Sequence, residues 1–115
     1  MIIGMQASRN FNDYNVFLRA MGTALYDIGQ DDEFTILTAG PHKLNDMAME
    51  FINISERSLK AKGIKTKVVK MPEKAIRERL LDLDSFLYFS LPKETPSELS
   101  LEAEAKDLEV LFYRF

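Results

Sequence analysis

The chain opens MIIGMQASRNFNDYNVFLRAMGTALYDI over residues 1–28, and the change of rhythm inside that stretch decides the fold. Met1 to Gln6 is a short apolar run of strand length. Beyond it Tyr14, Phe17, Leu18, Met21, Leu25 and Ile28 recur at the spacing of a helix laid against a core. Asn12 or Asp13 stands where such a helix needs a side-chain acceptor for its first free N–H groups, and Gly29 supplies a stop. A strand feeding an amphipathic helix is the first half of a βαβ unit.

The same alternation continues outward. Phe34 to Thr38 is a second strand, set between Gln30-Asp31-Asp32 and Gly40-Pro41. Leu44, Met47, Ala48, Phe51, Ile52, Ser55 and Leu59 mark the inner face of a long helix closed by Lys62-Gly63. Lys65 to Met71 is a third strand whose lysines at 65, 67 and 70 suit a guarded sheet edge. Pro72, at a first helical position, opens a helix through Ile76, Leu80 and Leu81. Ser85 to Ser90 is nearly all apolar, which fits a central strand buried on both faces. Thr95-Pro96-Ser97-Glu98 reads as a capping box starting the last helix, and Val110 to Phe115 is the closing strand. The result is a single α/β domain over residues 1–115, a five-stranded parallel sheet with helices on both faces.

Composition narrows the chemistry. The 115 residues carry 15 Lys+Arg against 18 Asp+Glu, a formal charge of −3, with 46% apolar and 29% charged residues, enough for one folded core. Absence of cysteine excludes disulfides, thiolate metal sites and thiol nucleophiles, and fits a cytoplasmic protein. A single histidine, His42, excludes a His-rich metal centre, and no metal or cofactor is expected. Apolar runs of about five residues are far short of a membrane span. The acidic balance disfavours nucleic acid as a partner.

In an open doubly wound sheet, ligands bind beyond the carboxyl ends of the strands, where helix N-termini offer free N–H groups to anions. The loops there carry Ser8, Arg9, Phe11, Asp13 and Tyr14 after the first strand, Gly40, His42, Lys43 and Asn45 after the second, and Ser90, Lys93 and Thr95 after the fourth. Hydroxyls and cations of this kind suit a phosphate-bearing ligand.

Ser8-Arg9-x-Phe11-x-Asp13-Tyr14, directly after a first strand, resembles the opening signature of the YspA-like branch of the SLOG superfamily. These are Rossmann-like domains related to the LOG phosphoribohydrolases and to the DNA-processing protein DprA. The family's Ser-Gly-Gly-Ala-x-Gly-Ala-Asp-x-x-Ala segment lies over Thr38 to Ala48, where Gly40 and Ala48 match, Thr38 and Asn45 are mild changes, and Ala39 and Lys43 replace glycines. The LOG segment Pro-Gly-Gly-x-Gly-Thr-x-x-Glu can be laid on Ser90 to Glu98, keeping Thr95 and Glu98 but none of the glycines. The resemblance implies a Rossmann-like fold and binding of a nucleotide or nucleotide-derived metabolite, in a sensor, sequestering or adaptor role. If catalysis is kept, it implies hydrolysis of an N-glycosidic bond with Glu98 as the catalytic carboxylate.

Most of these residues have a structural alternative. Phe11 and Tyr14 either stack on a base or fix the loop, and Asp13 either meets a ligand or caps the helix. His42 is a general acid or base, or a solvated side chain. Asn45 and Asp46 hold a ribose or serve a helix's first turn; Thr95 and Glu98 belong to a capping box. A rival reading is a protein-interaction module, of the kind that diverged viral or mobile-element proteins become. Its partner, or a second copy in a homodimer, would dock through the apolar last strand Val110 to Phe115.

Overall fold

Successive residues of a strand point to opposite sides, and the first strand sorts the whole core by that rule. The computed structural model describes residues 1–26, 28 and 32–115. Its elements run β1 (Ile2–Ala7), α1 (Tyr14–Tyr26), β2 (Glu33–Thr38), α2 (His42–Ala61), β3 (Lys65–Lys70), α3 (Glu73–Glu78), β4 (Ser85–Ser90), α4 (Glu98–Ala105) and β5 (Glu109–Arg114). All five strands pair in parallel, in the order β3-β2-β1-β4-β5. The expected helix stop at Gly29 and the lead-in Gln30-Asp31 lie outside the described residues.

Ile3, Met5 and Ala7 join Ile36, Leu87 and Phe89 on one face, where Phe17, Met21, Leu44 and Phe51 of α1 and α2 cover them. On the opposite face Leu37, Phe86 and Tyr88 meet Ile76, Leu80 and Leu83 from the α3 region and Leu99 and Ala103 from α4. The sheet is therefore covered from both sides, with β4 buried from Phe86 to Ser90 as its apolar run requires. β3 and β5 form the two edges, and all three lysines of β3 are exposed.

Cover is unequal. α1 and α2 have 13 and 20 residues, whereas α3 and α4 have 6 and 8. On the α3–α4 side, the part of the sheet formed by β2 and β3 is left open: Thr35 and Val69 are half-buried, and Lys65 and Lys67 are exposed.

α2 ends as its sequence demands. The Gly63 N–H donates to Lys60 O (2.9 Å) and the Ile64 N–H to Leu59 O (2.9 Å), with Gly63 at φ +78 and both Leu59 and Ile64 buried. Three other helix boundaries depart from expectation. Pro72 is the residue before α3 rather than its first, and the expected helix through Leu81 breaks at Arg79 into a 3-10 turn over Leu80–Asp82. In that tighter turn residues three apart share a side, so Leu80 and Leu83 face inward and Leu81 is left 80% exposed. The last helix starts at Glu98, with Ser97 as its cap accepting from the Ser100 N–H at 3.1 Å; Thr95 and Pro96 precede the cap. Among the described residues, no helix is long and apolar enough to cross a membrane.

Candidate functional site

β1 lies between β2 and β4, and the chain winds from it in both directions, so the carboxyl ends of β1 and β4 flank the switch point of the sheet. The loop leaving β1 is drawn across this point. The Ser8 N–H donates to Phe89 O at 2.7 Å, and Ser8 O accepts from the Phe11 N–H at 3.0 Å. Ser8 is thereby buried, while Arg9 and Asn10 are exposed beyond it. Among the described residues nothing engages the Arg9 guanidinium.

Phe11 is turned inward. It is fully buried, stacked on Phe89 with ring centroids 4.7 Å apart and met edge-on by Phe115 at 4.8 Å, so the ring belongs to the core and offers no face to a base. Asp13 caps α1, its Oδ1 accepting from the Val16 N–H at 3.1 Å. A carboxylate thus sits at the helix end that would otherwise attract a phosphate. Tyr14 stacks on Phe17 at 5.9 Å, and its hydroxyl is shielded from solvent with no hydrogen bond among the described residues. Burial raises the pKa of that hydroxyl, with a further push from Glu50.

The segment after β2 is also tied down. Gly40, at φ +107, occupies a backbone region that side chains disfavour, and its carbonyl accepts from the Ala7 N–H at 3.1 Å. Thr38 Oγ1 donates to Asn45 Oδ1 at 2.9 Å, which fixes the start of α2 to the end of β2. His42 is exposed between Asp46 Oδ1, 3.5 Å from its Nε2, and Lys70 Nζ, 3.1 Å from its Nδ1. Lys43 and Asp46 line a shallow cavity of 270 Å³ with Asn12, Tyr14, Met47 and Glu50.

After β4, Ser90 is buried and its Oγ accepts from Arg114 Nη1 at the end of β5. Lys93 is exposed at φ +70 in a tight turn closed by the Glu94 N–H on Leu91 O at 3.2 Å. Thr95 is exposed. Glu98 is 90% exposed, 3.9 Å from Arg77 Nη2. It lies on the α3–α4 side of the sheet, opposite the side that carries Lys43 and Asn45 on α2. The residues read from the sequence are therefore not gathered into one pocket.

Three residues escaped the sequence reading. On the α3–α4 side, Gln6, Tyr88 and Arg114 come from the adjacent strands β1, β4 and β5. Gln6 Oε1 is shielded from solvent and, among the described residues, has no hydrogen-bond partner. The Tyr88 hydroxyl has a raised pKa, first through burial and then through Glu94 and Glu73, while Arg114 opposes the shift. The signal was present as polar residues at strand ends inside apolar runs: a glutamine closing Ile-Ile-Gly-Met, an arginine inside Val-Leu-Phe-Tyr-Arg-Phe. Among the described residues, no three metal-ligating side chains come together.

The fold is similar to that of the crystal structure of Mycobacterium tuberculosis shikimate dehydrogenase, with a TM-score of 0.50 at 10% sequence identity over 96% of this chain. The chain spans 44% of that protein's length. The likeness establishes a Rossmann-like parallel α/β domain, an architecture that commonly binds nucleotides. No protein-family model matches the chain, and no curated protein matches it in sequence.

Proposed function

We propose that this protein binds a nucleotide or nucleotide-derived metabolite at the β1–β4 switch point, in a sensing, sequestering or adaptor role without turnover. The observation that carries the reading is the Gln6 amide oxygen at the carboxyl end of β1, shielded and, among the described residues, unpartnered. A buried acceptor left without a donor costs on the order of 1–3 kcal/mol, and a ribose hydroxyl or a base amine supplies the missing donor. Arg9, exposed at the mouth of the same strand, suits a phosphate. The resemblance of Ser8 to Tyr14 to the SLOG signature supports the same ligand class.

Turnover is disfavoured by the placement of Glu98. Hydrolysis of an N-glycosidic bond needs a carboxylate held against the anomeric carbon and one positioned water, in a site shielded from bulk solvent. Glu98 is solvated and beside Arg77, and Asp46 is likewise exposed beside His42.

A thermal-shift series with mono-, di- and cyclic nucleotides and ADP-ribose tests the proposal. A ligand at a hundred times its Kd adds about 2.7 kcal/mol of stability, a clear rise in Tm for a domain of this size. The rise is expected to shrink in Arg9→Ala and in Gln6→Leu while both variants remain folded. No shift with any compound removes the reading, and release of free base dependent on Glu98 replaces it with the hydrolase.

One observation favours a second reading, the protein-interaction module: β5 has a free edge. Its aromatic residues are already committed, Phe112 to Tyr88 at 6.2 Å and Tyr113 to Phe89 at 5.5 Å, so the strand's backbone rather than an apolar face would carry the contact.

A further inference from the structure

The other edge of the sheet is open in a different way. Among the described residues β3 pairs only with β2, and cavities flank its first residues on both faces. On the α3–α4 side, where α3 is too short to reach, a cavity of 450 Å³ has Ile2, Leu37 and Val69 as apolar floor and Lys65, Lys67 and Arg79 as charged lining. On the α2 side a second cavity, of 240 Å³, is lined by Lys60, Ile64 and Lys65, with Thr66 shared between the two.

An unpaired strand edge is a row of N–H and C=O groups awaiting a partner strand, and lysines along it repel most strands that approach. They do not repel an acidic one. A strand added beside β3 would send alternate side chains to opposite faces, the arrangement that two cavities flanking one strand can receive. Four cations line the two cavities against Glu33 and Glu56, so the surplus charge is positive in a protein whose net charge is −3. The cavities run along β3 from Lys65 to Val69, and none of their lining residues belongs to the loops after β1, β2 and β4, so this surface is separate from the nucleotide site proposed above.

We infer that the β3 edge is a docking site for an extended acidic segment of a partner protein, in which carboxylate and apolar side chains alternate. The segment continues the sheet by backbone hydrogen bonds to β3. Its carboxylates meet Lys67 and Arg79 on one face and Lys60 on the other.

The probe is a short synthetic peptide alternating glutamate with valine, titrated into the ¹⁵N-labelled full chain and followed by amide shifts. Shifts along Lys65–Lys70 are expected, with affinity falling as salt rises. Lys67→Glu is expected to weaken binding roughly tenfold and to gain affinity for the lysine–valine counterpart peptide; Arg79→Ala, away from the strand, gives an independent loss. Three outcomes overturn the inference. Absence of binding, or shifts elsewhere, removes the site. Equal binding of two peptides, one N-methylated at the glutamates and the other at the valines, removes strand addition, because one of the two must lose the N–H groups that face β3. Tighter binding of single-stranded oligonucleotide to the same residues assigns the cations to nucleic acid.

Discussion

Gly4 lies in the middle of β1 where the strand passes under the α3–α4 layer, and a Cβ there would sit 2.7 Å from Leu83 Cδ1 and 3.0 Å from Phe86 Cδ2. Leu83 can turn aside, but Phe86 is fully buried, so Gly4→Ala is expected to cost roughly 1–3 kcal/mol, read as a lower denaturation midpoint. Lys93 presents the opposite case. It holds φ +70 at the third position of a turn after Pro92, where glycine is the unstrained residue, and Lys93→Gly should raise stability by about 0.5–1 kcal/mol. An unchanged midpoint would show that the turn relaxes without strain. The raised pKa of Tyr88 has a consequence at alkaline pH. Because its folded pKa exceeds the ordinary 10.0, the unfolded chain loses that proton first. The contribution is whole below about pH 10 and is lost as pH rises toward the folded value. Tyr88→Phe is therefore expected to flatten the fall in Tm above pH 10, and an identical alkaline limb in both proteins would contradict this.

At the scale of elements, the thin α3–α4 layer is held at its surface by one cation. Arg77 on α3 is 2.7 Å from Glu102 Oε2 on α4, with Glu98 at 3.9 Å and Glu73 at 4.0 Å. All are partly or largely solvated, so Glu102→Gln is expected to cost no more than about 1 kcal/mol, less in high salt. Ser97→Ala, which removes the α4 cap, should cost about as much at any salt concentration, and urea titrations at two ionic strengths separate the two effects. Existence and type of element were legible wherever periodicity ran long, as along α2 and β4. Edge and centre were legible too, because lysines on β3 and the continuous apolar run of β4 state opposite solvent exposures. Boundaries were missed where residues with two uses stood together. Threonine and serine are both capping residue types, but only the Ser97 side chain meets a free N–H, and Thr95 stands outside the helix. Leu80 and Leu81 fit one helical stripe, but the break at Arg79 turns Leu81 out to solvent. Site residues were less legible because rim polarity does not specify direction: Phe11 went to the core and Asp13 to a cap, while Gln6 hid inside a strand.

For the whole molecule, the two faces of the sheet are unequal partners. Among the described residues 19 buried apolar side chains form the α1–α2 layer and 8 the α3–α4 layer. Buried apolar area is the main stabilising term, so the first face should hold most of the folding free energy and the second should open locally at lower cost. The same inequality places both proposed surfaces. Gln6 and Tyr88 lie under the thin layer, and the larger of the two β3 cavities lies where that layer stops short of the edge. Native-state hydrogen exchange is the direct measurement. Amides of Ala103 and Ala105 in α4 are expected to exchange through sub-global openings, whereas those of Met5 in β1 and Phe51 in α2 exchange only with global unfolding. Leu99→Ala should then lower protection within α4 far more than across α1 and α2. Phe17→Ala, which removes a fully buried ring from the thick layer, should cost roughly 3–5 kcal/mol and lower protection of α1, α2 and the central strands together. Equal protection on both faces, with both variants lowering it everywhere alike, would make the sheet and its two layers one cooperative unit. Entry of the proposed nucleotide at the switch point would then require a preformed opening rather than a local one.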